Sequence, residues 1–91
     1  MKVKNVVGTS NRSCGCGTWI SHWEKYAGRK ATVCGEISCR ENSELVGAHV
    51  RRSDTYDSTT YILPLCKSHN QATGELEVFS SYSLIPESQC K

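Results

Sequence analysis

Apolar and polar positions alternate in short bursts along this chain, each long enough for one turn of helix or one strand. Trp19, Trp23, Tyr26 and Ala27 recur at intervals of three and four, which places them on one face of a helix. Thr18 suits the N-cap, Ser21 and Glu24 form an alternative capping box, and Gly28 suits the position just past the last turn. An aromatic stripe at this spacing predicts a face packed into a core. The run Leu45-Val46-Gly47-Ala48-His49-Val50 has the length of a strand and follows the polar turn Glu41-Asn42-Ser43-Glu44. Arg51 to Thr60 contains no aliphatic apolar side chain and reads as a loop. Tyr61-Ile62-Leu63-Pro64-Leu65 reads as the returning strand, with Pro64 marking an edge or a strand end. Cys66 to Ala72 predicts a short helix stopped by Thr73-Gly74. Thr32-Val33 is a short candidate strand, and Leu76-Glu77-Val78-Phe79 and Tyr82-Ser83-Leu84-Ile85 are two later ones. Residues 1–13 are mostly polar and read as an extended, flexible lead-in. The order is that of an α+β domain.

Composition changes this picture in one respect. The chain has 91 residues, enough for one domain over 1–91, yet Leu, Ile, Val and Phe together number only 17. Such a thin aliphatic supply accompanies disorder when net charge is high, but here the net charge is +2. Six Cys, three His, two Trp and four Tyr point instead to a small core held by staples, either metal or disulfide. No run of 18 apolar residues occurs, so a membrane span is not expected. The first residues lack the apolar stretch of a secretory signal, which points to the cytoplasm. The weak positive charge does not by itself announce nucleic acid.

The sulfurs lie at Cys14, Cys16, Cys34, Cys39, Cys66 and Cys90, and the imidazoles at His22, His49 and His69. In a reducing compartment thiolates persist and bind metal. Cys14-Gly15-Cys16 and Cys34-Gly35-Glu36-Ile37-Ser38-Cys39 are short loops containing Gly, which lets a backbone turn so that two thiolates face one ion. Cys66 and His69 stand three apart and share a face if a helix starts at the Cys. Cys34, Cys39, Cys66 and His69 therefore supply the four tetrahedral ligands of a structural zinc site. A second site from Cys14, Cys16, His22 and Cys90 would tie the C-terminal end to the first loop, giving one or two zinc ions per chain. The bland alternative leaves Cys14 and Cys16 as thiols and His22 on the helix surface. Three disulfides in a secreted mini-domain are the competing staple.

Residues 34 to about 72 resemble the HNH family, built on a ββα-metal fold related to treble-clef zinc fingers. Cys34 and Cys39 look like its first Cys pair, Val46-Gly47-Ala48-His49-Val50 like its His-bearing strand, and Ile62-Leu63-Pro64-Leu65-Cys66-Lys67-Ser68-His69-Asn70 like its strand-into-helix element. The resemblance covers under half of the chain. It implies an HNH-like core with short flanking elements, and it puts His49 at the position of the general base that activates water against a phosphodiester. Three other functional positions differ. Ala48 stands where the family has a metal-binding acid or His, no Asn orients the base between Arg51 and Cys66, and Asn70 stands where the family has a metal-binding His.

Two functions follow from that pattern. The first is a noncatalytic zinc module, monomeric, presenting a surface to nucleic acid or protein, with Arg51, Arg52 and Lys67 expected to cluster near the loop and the helix start. The second is a divergent, metal-dependent HNH endonuclease of bacterial or phage type. In it His49 would be the base, and Asp54, Asp57 or Asn70 would hold the metal.

Overall fold

A computed structural model of the chain describes residues 1–6 and 17–89. Its strands are β1 (Lys2–Asn5), β2 (Leu45–Arg52), β3 (Tyr61–Cys66), β4 (Leu76–Glu77) and β5 (Ile85–Pro86). They form one antiparallel sheet in the spatial order β4-β1-β2-β3-β5. Two helices, α1 (Trp19–Ala27) and α2 (Lys67–Asn70), and a 3-10 turn at Glu87–Gln89 complete the described elements.

The ends of α1 follow from local chemistry. The Thr18 side chain accepts the Ser21 N–H at 3.2 Å, and Gly28 takes a left-handed φ of 74° that a side chain would resist. The aromatic stripe packs as expected. Trp23 is fully buried and its indole N–H donates to the Ser83 carbonyl at 2.7 Å, while Trp19, Tyr26 and Ala27 lie partly buried against the core.

Side chains alternate across a strand, so the register sorts the two faces of the sheet. Val46, Ala48 and Val50 of β2 share one face with Asn5 of β1 and with Leu63 and Leu65 of β3. Gly47 and His49 share the other with Ile62 and Pro64. Helix α1 covers this second face so closely that a Cβ on Gly47 would fall inside the backbone of Trp19 and Ile20. Helix α2 lies on the first face, where Asn5 Nδ2 donates to the carbonyls of His69 at 2.8 Å and Ala72 at 2.9 Å. Covered on both sides, β3 is buried from Ile62 to Cys66, which is why it reads as a continuous apolar run.

Three expectations need correction. The lead-in is, over Lys2–Asn5, a strand paired on both edges, because β2 and β4 offer open edges and Val3 is fully buried between them. Residues 7–13 lie outside the described residues. Thr32 and Val33 form no strand: the Tyr82 hydroxyl meets both N–H groups and donates to the Val33 carbonyl at 2.8 Å, so those groups are already engaged. Pro64 falls on an open edge of β3, one of its two expected placements, although mid-strand rather than at an end. Its carbonyl accepts the Gly35 N–H at 2.8 Å, and since N and O of one strand residue point the same way, the missing N–H falls on the side away from β2. His22 is fully buried, not a helix-surface residue.

The contact at Gly47 gives a direct test. Gly47→Ala should cost about 2–3 kcal/mol or more, because a backbone, not a flexible side chain, has to move. Urea unfolding of the two proteins measures it, and an unchanged midpoint would contradict the close crossing of α1 over β2.

Candidate metal centre

Two segments meet at one point. The loop 34–41 runs along the free side of β3 and is stitched on both flanks. Gly35 N–H donates to Pro64, Ile37 N–H to Glu77 at 2.8 Å, and Phe79 N–H to the Gly35 carbonyl at 3.0 Å. A Cβ on Gly35 would lie 2.8 Å from the Pro64 oxygen, so the close approach requires glycine. The turn itself is closed by Cys39 N–H to the Glu36 carbonyl at 3.0 Å. Glu36 in turn accepts the Ser38 hydroxyl at 2.6 Å and the Ser38 N–H at 2.8 Å, hydrogen bonds that hold its carboxyl below the usual range. From the other side Cys66 ends β3 and caps α2, which lifts His69 back over it.

The result brings together the four residues of the first predicted site. One ligand atom from each of Cys34, Cys39, Cys66 and His69 lies within 4.8 Å of all the others. His69 Nδ1 is 3.6 Å from Cys34 Sγ and 3.3 Å from Cys66 Sγ, and Cys39 Sγ is 4.0 Å from Cys66 Sγ. A zinc ion bound at ordinary Zn–S and Zn–N lengths gives tetrahedral edges of about 3.8 Å between sulfurs and about 3.5 Å between sulfur and nitrogen. The cluster has the size of that tetrahedron, and its Cys3His donor set is one that zinc takes in closed, structural sites. The three thiols are free, with no disulfide among the described residues.

Their acidities diverge. Burial pushes the Cys34 thiol up to about 12. Burial also raises Cys66, but hydrogen bonds from the His69 backbone and ring and from the neighbouring thiols outweigh it and bring Cys66 down to about 7. Metal binding has to displace the proton held by Cys34, so affinity rises with pH.

Of the second predicted site, only His22 lies among the described residues. Cys14, Cys16 and Cys90 lie outside the described residues. His22 is on the buried face of α1, with its Nε2 3.1 Å from the Pro86 carbonyl and its ring 5.2 Å from Trp19 and 5.0 Å from Tyr26.

His49 belongs to this same buried stack, on the face of the sheet opposite α2. Its ring meets Trp19 edge-on at 4.7 Å, and its Nε2 lies 3.3 Å from a Glu87 carboxylate oxygen. Ala48 is buried and offers no ligand, and Asn70 is exposed at the end of α2. Asp54 accepts from Lys2 N–H at 3.3 Å and Arg52 Nε at 3.2 Å, while Asp57 accepts from the Tyr61 hydroxyl and from Thr59 N–H at 2.9 Å. These contacts lower both carboxyls, and neither joins the metal-sized group.

Nor do Arg51, Arg52 and Lys67 cluster. The register sets Leu45 opposite Cys66, so Lys67 lies at the far end of β2 from Arg51, about 20 Å away at strand rise, and pairs with Glu44 at 3.5 Å. Sequence reasoning missed Asn5, whose amide clamps α2, and Glu87 beside His49. The alternation Lys2-Val3-Lys4 was the available signal for the strand that carries Asn5; nothing local marks Glu87.

No family model, no curated protein and no solved structure matches the chain. No helix among the described residues is long and apolar enough to cross a membrane.

Cys66→Ser should abolish metal binding at this centre and unfold the domain, since structural zinc contributes ~10 kcal/mol or more in zinc-finger peptides. Circular dichroism with and without a strong chelator reads both effects. Asn5→Ala should keep the ligands, yet lose about 1–3 kcal/mol as two carbonyls of the α2 turn lose their donor. Its zinc affinity, measured by competition with a chromophoric chelator, should fall as well.

Proposed function

We propose that this chain is a noncatalytic zinc-binding module, in which a single Cys3His centre fastens a treble-clef-like knuckle to the helix that follows an HNH-like hairpin. The observation that carries this reading is the convergence of four ligand atoms from two segments at zinc-sized spacing. With four protein ligands the ion has no open position for water or substrate, so it supplies rigidity rather than Lewis-acid chemistry. The module serves as a rigid scaffold whose surface binds a nucleic acid or a protein.

The surroundings of His49 support binding over catalysis. A general base needs a reachable proton and a nearby metal to steady the leaving oxygen. His49 is 7% exposed, packed under Trp19 and set beside Glu87, on the side of the sheet away from α2.

Elemental analysis of protein purified without added metal should return zinc at the level of at least one ion per chain, lost in Cys66→Ser. Purified protein should leave supercoiled plasmid intact in magnesium, manganese or zinc. Divalent-dependent nicking that disappears in a folded, zinc-loaded His49→Ala protein would overturn the noncatalytic reading.

A further inference from the structure

β1 and β2 and the loop after β2 border a concavity of about 480 Å³. Its walls include Lys4, Asn5, Arg51, Arg52, Thr55 and Tyr56. Three features meet there. Lys4 and Arg51 are directly opposite each other in the β1–β2 register, both exposed, and neither forms an ion pair among the described residues. Like charges directly opposite across an antiparallel pair are destabilising, and an anion between them relieves the repulsion. Arg52 lies on the opposite face of β2 from this pair and is held by Asp54 at 3.2 Å.

The second feature is Tyr56, whose ring is fully exposed at the rim. The third is that the loop carrying it is braced. Asp54 binds Lys2 N–H and Arg52, Asp57 N–H donates to Thr55 Oγ1 at 3.1 Å, and Asp57 accepts from Thr59 and Tyr61. The ring is therefore presented from a fixed support, with its stacking faces open to solvent. The concavity's single acid, Asp57, is turned to the Tyr61 hydroxyl and the Thr59 amide.

We infer that this concavity binds single-stranded nucleic acid, with the backbone phosphates on Lys4 and Arg51 and a base stacked on Tyr56. A fixed cationic groove beside an open aromatic ring is the arrangement that holds unpaired strands with little regard to sequence. A duplex keeps its bases stacked on one another and leaves the ring unused. An acidic protein segment would satisfy the cations but gains nothing from a flat ring at this height. The inference rests on the module reading above and supplies its partner.

The test uses fluorescence anisotropy of a labelled, mixed-sequence single strand of roughly 12 nucleotides with the full chain. Binding should weaken as salt rises, with a log–log slope of about −0.7 for each phosphate neutralised. Lys4→Gln and Arg51→Gln should each flatten that slope by about the same amount. Tyr56→Ala should weaken binding on the order of 5- to 150-fold, whereas Tyr56→Phe should keep it. All three positions are exposed, so folding is unaffected, and far-ultraviolet circular dichroism and zinc content are read on the same samples. Absence of strand binding, equal binding by Tyr56→Ala, or tighter binding to poly-glutamate or to duplex than to the strand would each overturn the inference. Zinc-loaded, folded protein that ignores the strand sinks this inference and leaves the module standing. Strand binding by protein that carries no zinc does the reverse.

Discussion

The meeting of Cys34, Cys39, Cys66 and His69 fixes the distance between two parts of the chain that little else would hold together. The knuckle loop has no long apolar run of its own, and α2 is a single turn of four residues with none of them buried. A helix that short does not persist on propensity. What keeps both in place is the cluster, backed by backbone hydrogen bonds to Pro64, Glu77 and Gly35 and by the amide of Asn5. A free energy of the size that zinc supplies equals or exceeds the whole net stability of an ordinary small domain. On the proposed zinc reading, metal and fold are one equilibrium.

The sheet divides the molecule into two chemistries. On the α2 side lie the sulfurs and the clamp from β1; on the α1 side lie Trp19, His22, Tyr26 and His49, stacked ring against ring. The second cluster does the work of aliphatic residues the sequence lacks. Imidazoles can fill a core when their nitrogens meet oxygen atoms, and Pro86 and Glu87 supply those at 3.1 and 3.3 Å.

How much of this was legible depends on whether the cause was local. The helix at 19–27 announced itself through Thr18, the aromatic spacing and Gly28, all within eleven residues. The first ligand set was legible because zinc chemistry constrains both residue type and spacing, and the four residues named from spacing are the four that converge. Strand β1 was not legible as more than a lead-in: one buried valine between two lysines is a weak pattern, and its partners lie at residues 50–52 and 76–77. The expected strand at Thr32-Val33 failed for a related reason, since a single distant hydroxyl, on Tyr82, took over the groups a strand would have paired. The supposed gathering of Arg51, Arg52 and Lys67 ignored register, which only the pairing of Leu45 with Cys66 sets.

The position of β1 between β4 and β2 sets an order of events. The chain is made from its N-terminal side, yet β1 cannot be bordered on both edges until Leu76–Glu77 has been synthesised. The metal ligands, by contrast, all fall between residues 34 and 69 and can close on an ion well before that. Loop closure over the shorter span is the less costly in entropy. Nascent chains therefore pass through an interval in which the cluster residues are complete while the edge of β1 that β4 later covers stands open. An unpaired strand edge is the feature through which one chain adds to another. The interval between those two closures is when a crowd of such chains is most exposed to pairing with its neighbours.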